Sequence, residues 1–203
     1  MTGRYLALEG IEGAGKSTVS FRIADLLRGR GVDVVTVREP GGTPAGERIR
    51  RVLLDEGSHL GNWTEALLFA ASRAQLAAEV VGPALAQGSW VLTDRSVYSS
   101  LAYQGGGRRL GIDAVRALNE PGLDGVWPQL VALLRLDPST GLQRQEEPDR
   151  IGGEGLEFQT RVAEAFDEIA AREPEQFIVV DATASLDDVV ARLWKEIEAR
   201  WLP

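Results

Sequence analysis

Tyr5-Leu-Ala-Leu-Glu9-Gly10-Ile-Glu-Gly-Ala-Gly15-Lys16-Ser17-Thr18 decides the fold. A short apolar run ends at Glu9, three glycines follow within six residues, and a helical pattern begins at Lys16. The segment matches G-x-x-x-x-G-K-[ST] between a strand and a helix, which is the context that spacing requires. Glycines allow backbone N–H groups to close around a β-phosphate, at which the positive end of the helix points. The cradle runs from Gly10 through Ile11, Glu12, Gly13, Ala14 and Gly15 to Lys16, Ser17 and Thr18. Lys16 is placed to bridge β- and γ-phosphates, and the Ser17 hydroxyl to ligate Mg²⁺. The expected ligand is a nucleoside triphosphate, most simply ATP.

Outward from this loop, apolar runs alternate with helical patterns. Strands are expected at Tyr5–Leu8, Val32–Val37, Trp90–Thr93, Leu130–Leu136 and Phe177–Val180. Each is nearly continuous in hydrophobicity, the signature of a parallel sheet covered on both faces. Helices are expected over 16–28, 45–54, 63–86, 112–119, 155–172 and 186–200. The alternation reads as a doubly wound α/β domain. Helix 63–86 is apolar around most of its circumference, so it either crosses the middle of the domain or meets a second subunit on its outer side. The polar stretch 143–155, rich in glycine and charge, reads as a mobile lid or a plain solvated loop.

Composition narrows the chemistry. The chain has 203 residues, 44% hydrophobic, which is one domain's worth of sequence. It contains no cysteine, excluding disulfides, thiolate metal sites and cysteine nucleophiles. The single histidine, His59, makes a Ser-His-Asp hydrolase or a histidine-rich metal site improbable and reads as a loop or surface residue. A net charge of −8 argues against broad binding to nucleic acid. No apolar run reaches the ~18 residues of a membrane helix. The N-terminal residues show no signal-peptide pattern, so a cytoplasmic protein is expected. Of the 22 basic residues only Lys16 and Lys195 are lysine, which marks Lys16 as a place for a compact ammonium.

The lysine inventory also excludes the N-K-x-D guanine motif, because Gly15 precedes Lys16 and Trp194 precedes Lys195. A regulatory GTPase is thereby disfavoured, and a small-molecule acceptor fits better than water. Asp94-Arg95 follows Trp90-Val-Leu-Thr93 at the carboxyl edge of the sheet, where α/β proteins bind ligands. Asp94 there can hold Mg²⁺ directly or through water, and Arg95 can clamp a phosphate; the alternative is an ordinary ion pair at a strand end.

Four further blocks carry a resemblance: Arg38-Glu-Pro-Gly-Gly-Thr43, Phe69-Ala-Ala-Ser-Arg73, Asp94-Arg95 with Ser99-Ser-Leu-Ala-Tyr-Gln-Gly105, and Asp149-Arg150-Ile151. In order and spacing the chain resembles the thymidylate kinases over nearly its whole length. The resemblance implies a P-loop nucleoside monophosphate kinase-like fold, with a central parallel five-stranded sheet, helices on both faces and a short lid. It implies transfer of the γ-phosphoryl group of ATP to dTMP with Mg²⁺, in dTTP synthesis; the all-round apolar helix 63–86 adds the expectation of a homodimer with that helix at its interface. A kinase for another nucleoside monophosphate or a deoxynucleoside, and a P-loop binding protein without turnover, are the alternatives.

Residue roles follow from the same resemblance. Phe69 and Arg73, i and i+4 on one helix face, would stack on thymine and donate to its O4; on the residues alone they read equally as a core ring beside a surface arginine. Ser100 and Gln104 would read the N3 edge, and Tyr103 would crowd the sugar C2′. Arg50 and Arg95 would bind the acceptor phosphate, with Glu39, Glu9 and Glu12 near the reacting groups. No cation stands at the variable loop positions Ile11, Glu12 and Ala14, so the lid must supply one in cis. Arg144 and Arg150 are the candidates. Gln145-Glu-Glu-Pro148 departs from relatives that carry extra basic residues there.

Overall fold

The computed structural model describes residues 3–55, 57–145 and 149–202. Five parallel strands, β1 (Tyr5–Glu9), β2 (Val34–Arg38), β3 (Trp90–Asp94), β4 (Leu130–Arg135) and β5 (Phe177–Asp181), form one sheet in the order β2-β3-β1-β4-β5. The helices are α1 (Lys16–Gly29), α2 (Pro44–Leu54), α3 (Asn62–Leu76), α4 (Gly82–Ala86), α5 (Val97–Ser100), α6 (Ile112–Leu123), α7 (Pro138–Gln143), α8 (Leu156–Arg172) and α9 (Leu186–Trp201). Two wider π-helical turns, Ala77–Val81 and Leu101–Gly107, continue α3 into α4 and extend α5.

Crossover handedness explains the layers. The β1-to-β2 connection runs one way across the sheet, and every later connection runs the other way. Right-handed crossovers therefore put α1 on one face and the helices between β2 and β5 on the other. Accordingly α1 packs with α9, while α8 packs on the 101–107 turn, that turn on α6, and α6 on α3. The central strands are dry: β1 is buried throughout, and Val131, Ala132, Leu133 and Leu134 of β4 are buried on both faces. Strand β1 lies between β3 and β4, so the chain turns in opposite directions beyond its carboxyl end and leaves a crevice there.

Several boundaries differ from the sequence expectation for identifiable reasons. Strand β2 begins at Val34 rather than Val32, because the Val32 amide donates to Leu27 O at 3.1 Å and closes the turn after α1. Helix α6 passes Pro121 to Leu123, whose buried side chain holds the last turn on the core. Helix α7 was not expected; Asp137 caps it, accepting from Ser139 N at 2.9 Å, with Pro138 in its first turn. Helix α9 reaches Trp201, which packs edge-on against Trp90 at 5.3 Å between ring centroids.

The helix expected over 63–86 is one continuous element through α3, the π turn and α4. Its inner side buries Ala66, Arg73, Leu76 and Val81, but Trp63 is 49% exposed and Leu67 52%. It is not enclosed within the chain on all sides. Among the described residues no helix is long and apolar enough to cross a membrane. Of the expected lid, residues 146–148 lie outside the described residues. On its C-terminal side Asp149 accepts from the amides of Ile151 and Gly152 at 3.0 and 2.8 Å, and Ile151 is buried.

Candidate active site

The loop after β1 is shaped by its glycines. Gly15 has φ 85°, a left-handed conformation that a side chain would strain even in open space. Gly13, at φ 75°, lies so close to α7 that a Cβ would stand 2.6 Å from Gly141 O. Helix α1 starts without a side-chain cap, leaving its first amides for a ligand. Lys16 is buried and its Nζ donates to Ile11 O at 2.8 Å. Burial, and then the charge of Arg95, lower its pKa to about 8, against the pull of Glu12, Asp94 and Glu9. An anion at the loop would relieve that penalty.

Strand register brings the next groups alongside. Leu8 of β1 and Arg38 of β2 both pair with Asp94 at the end of β3. The Ser17 hydroxyl is hydrogen-bonded to the Asp94 carboxylate. These two oxygen donors fit Mg²⁺, which is held by one or two carboxylates together with substrate phosphates and water. Among the described residues no cluster of three or more acidic or histidine side chains could hold a metal by itself.

Arg95 has φ 71°, unusual for a side-chain-bearing residue. Its amide donates to Leu8 O at 3.0 Å, and its carbonyl accepts from Thr93 Oγ1 at 2.7 Å, so its neighbours fix the strained backbone. The guanidinium pairs with Glu12, donates to Ser99 Oγ at 3.1 Å and lies 5.0 Å from the Tyr103 ring centroid. Burial opposes its charge, but Glu12, Tyr103 and Glu9 outweigh burial and raise its pKa. Burial pushes Glu12 up, yet Arg95 and Lys16 hold it below the usual carboxylate range. Arg95 is thus a permanent cation between the loop and the far end of the crevice.

Beyond Arg95 the wall comes from α3, α5 and the 101–107 turn. Arg73 is 3% exposed, and its fork is nearly filled. Nε donates to Glu39 at 2.6 Å, Nη1 to Asn119 Oδ1 at 2.6 Å, and Nη2 to Ser96 O and Ser100 Oγ at 3.2 and 3.0 Å. One Nη1 proton remains. Ser100 accepts from Arg73 and keeps its own proton to give. Burial pushes the Glu39 carboxyl up to about 7 despite Arg73 beside it. Glu39 precedes a cis bond to Pro40, and the following Gly41 amide donates to Ser72 Oγ of α3 at 3.1 Å.

A cavity of about 340 Å³ joins these parts. At one end it is lined by Gly13, Gly15, Lys16, Ser17 and Thr18, in the middle by Glu12, Asp94 and Arg95, and at the other end by Phe69, Arg73, Ser100 and Gln104. Glu39, Arg50 and Tyr103 also line it, and Arg50 donates to Pro40 O at 2.9 Å. Gly10, Ile11 and Ala14 support the loop from outside this cavity, with Ile11 and Ala14 buried. The two lid arginines part company. Arg144 donates to Gly13 O at 3.3 Å, beside the loop, whereas Arg150 is bound to Glu65 of α3 at 2.8 Å and to Leu53 O at 2.8 Å.

Three polar residues outside the sequence expectation support the wall from behind: Glu65 receives Gln104, Ser72 receives the Gly41 amide and Asn119 receives Arg73, and all three are buried. Glu65 did carry a signal. It stands four and eight residues before Phe69 and Arg73, on the same stripe of an otherwise apolar helix. Glu9, whose role was open, accepts from the amides and hydroxyls of Ser96 and Ser99 and fixes the turn after Arg95.

Comparison with known proteins agrees with this geometry. The family model described as thymidylate kinase matches residues 8–193. The thymidylate kinase of Deinococcus radiodurans is 45% identical over 201 residues, covering 98% of each chain. Those of Halothermothrix orenii and Magnetococcus marinus are both 42% identical, each covering 98% or more of this chain and 98% of the relative. A phosphate loop, a buried arginine network and full-length likeness of this degree coincide in one chain, which belongs to the thymidylate kinase family.

Proposed function

We propose that this protein transfers the γ-phosphoryl group of ATP to dTMP, giving dTDP and ADP. The observation that carries the reading is the continuous cavity from the Lys16 loop past Arg95 to Phe69 and Arg73. Its lining offers groups suited to donor phosphates, acceptor phosphate, sugar and base.

An oxygen of the acceptor phosphate attacks the γ-phosphorus, and the bond to the β–γ bridging oxygen breaks, leaving ADP. The nucleophile is already anionic, so no general base is needed and catalysis rests on positioning and charge. Lys16 and the amides from Gly13 to Thr18 hold the donor phosphates. Arg95 and Arg50 hold the acceptor phosphate, with Glu12 fixing the Arg95 fork in place. Ser17 and Asp94 would hold Mg²⁺, which when bound neutralises charge on the donor phosphates. Arg144, next to Gly13, is the lid cation for the γ-phosphoryl group. Arg150, the other candidate for that task, is better supported as an anchor to α3 through Glu65.

Phe69 stacks on thymine and the remaining Arg73 proton meets O4; Ser100, expected at the N3 edge, is better matched to O4, because its hydroxyl accepts from Arg73 and keeps a proton to give. Gln104 meets N3, Tyr103 packs against C2′, and Glu39 holds Arg73. The chain acts as one domain with a lid over 143–155. It works as a homodimer through the exposed Trp63 and Leu67 side of α3, and in the cytoplasm, where ATP and dTMP are available. Phosphorylation of a panel of nucleoside monophosphates, followed by ADP release, tests the proposal: dTMP should be the preferred acceptor.

A further inference from the structure

A glutamine beside a nucleobase is ambiguous. Its amide can offer the carbonyl, which accepts from an N3–H, or the –NH₂, which donates to a bare N3. Gln104, which lines the cavity next to Ser100 and Arg73, has that choice made for it by a neighbour. Its Nε2 donates to Glu65 Oε1 at 2.9 Å. The Glu65 carboxylate is 1% exposed and meets a full set of donors. Arg108 Nε reaches Oε1 at 3.1 Å, and Arg108 Nη2 and Arg150 Nη1 reach Oε2 at 3.1 and 2.8 Å.

Burial pushes the Glu65 carboxyl up, but the donors from Arg108, Gln104 and Arg150 outweigh it and hold it below the usual carboxylate range. The group is ionised at neutral pH and can only accept. Gln104 must therefore face Glu65 with its nitrogen. Its Oε1 is the end of the amide turned away from Glu65, on a residue that lines the cavity.

We propose that Glu65 is a specificity-determining positioning residue. By anchoring the Gln104 amide nitrogen, it turns the carbonyl toward the acceptor base and selects bases that carry an N3–H. Thymine and uracil satisfy that acceptor, whereas cytosine sets its own N3 lone pair against it. Glu65 touches no substrate and acts through Gln104. The inference rests on the dTMP reading above and adds the source of one half of its base selectivity; Arg73 and Ser100 read the other half at O4.

Glu65→Gln is the direct test, because a neutral amide can turn either end toward Gln104 and frees it to flip. The ratio of kcat/KM for dTMP to that for dCMP should fall about tenfold, equivalent to about 1.4 kcal/mol. The dTMP to dUMP ratio should stay at the wild-type value, since both bases carry N3–H. General damage to the fold would not separate the two ratios in this way. In a Gln104→Ala background, Glu65→Gln should produce no further change in the dTMP to dCMP ratio. Arg108→Lys, which keeps a cation beside the carboxylate and leaves the Gln104 bond in place, should leave that ratio at the wild-type value. If Glu65→Gln does not fold, the Glu65→Gln/Arg108→Met pair removes acid and base together and carries the same expectation. An unchanged dTMP to dCMP ratio in Glu65→Gln, or in Gln104→Ala, overturns the inference. A wild-type protein without preference for dTMP over dCMP overturns the dTMP reading itself.

Discussion

Replacing Arg73 by lysine keeps a cation beside Glu39 but removes the fork. In the native site four of the five guanidinium N–H groups are used, on Glu39, Asn119, Ser96 and Ser100, and one is left for the base. Lysine has three donors on a single nitrogen and cannot span those partners and a thymine O4 together. The loss at the base is one hydrogen bond to a charged donor, about 1.5–3 kcal/mol. In kcat/KM for dTMP that is about 10- to 150-fold. Wild type should prefer dTMP over dCMP by about 30-fold or more, because cytosine mismatches the site at its amino group and at N3, at about 1–3 kcal/mol for each position. Arg73→Lys should narrow that preference while the protein remains folded, since Glu39 keeps a charged neighbour. Arg73→Ala should narrow it as strongly and also lower Tm, because it leaves Glu39 buried and unpaired. The assay is coupled ADP release with each nucleotide, alongside thermal unfolding. A dTMP to dCMP ratio equal to wild type in both variants would remove Arg73 from base recognition.

Lys16→Ala should abolish phosphoryl transfer with the fold intact. Lys16→Arg should fail as well, because a planar fork does not fit a cradle closed around an ammonium; substantial activity in the arginine variant would contradict the role given to Lys16. The free-enzyme pKa of Lys16, lowered to about 8 by burial, makes kcat/KM for ATP fall as pH rises through that value, since the cation is the binding form. The alkaline limb of kcat at saturating ATP should lie higher, because bound phosphate favours the ammonium; coincident limbs would dissociate Lys16 from the nucleotide. Finally, the wild-type chain should sediment as a dimer at micromolar concentration and Leu67→Asp as a monomer, whereas a fully active wild-type monomer would rule out the α3 interface.

How much of this was legible in the residues varies with the range of the interaction. The P-loop, the five strands and the six longer helical segments, but not the short helices α5 and α7, follow from local spacing and periodicity. So does the Phe69–Arg73 pair, because an i, i+4 relation is built into a helix. Boundaries failed where a distant contact decided them, as where Trp90 holds the last turn of α9 through Trp201. The two lid arginines look alike in sequence, six residues apart in one polar stretch. Only the folded chain separates them, because Leu53 and Glu65, far away in sequence, receive Arg150. Asn119 was hidden for the same reason: it is an ordinary polar residue on a helix until Arg73 from another element is in place.

The acceptor of the γ-phosphoryl group is a thymine nucleotide and not water. Phosphorus NMR of a mixture of the protein, ATP, Mg²⁺ and equimolar dTMP and dCMP tests it directly. dTDP and ADP should accumulate one for one, with dCDP and inorganic phosphate far behind. Release of inorganic phosphate without a new diphosphate, or dCDP formed as fast as dTDP, would contradict it.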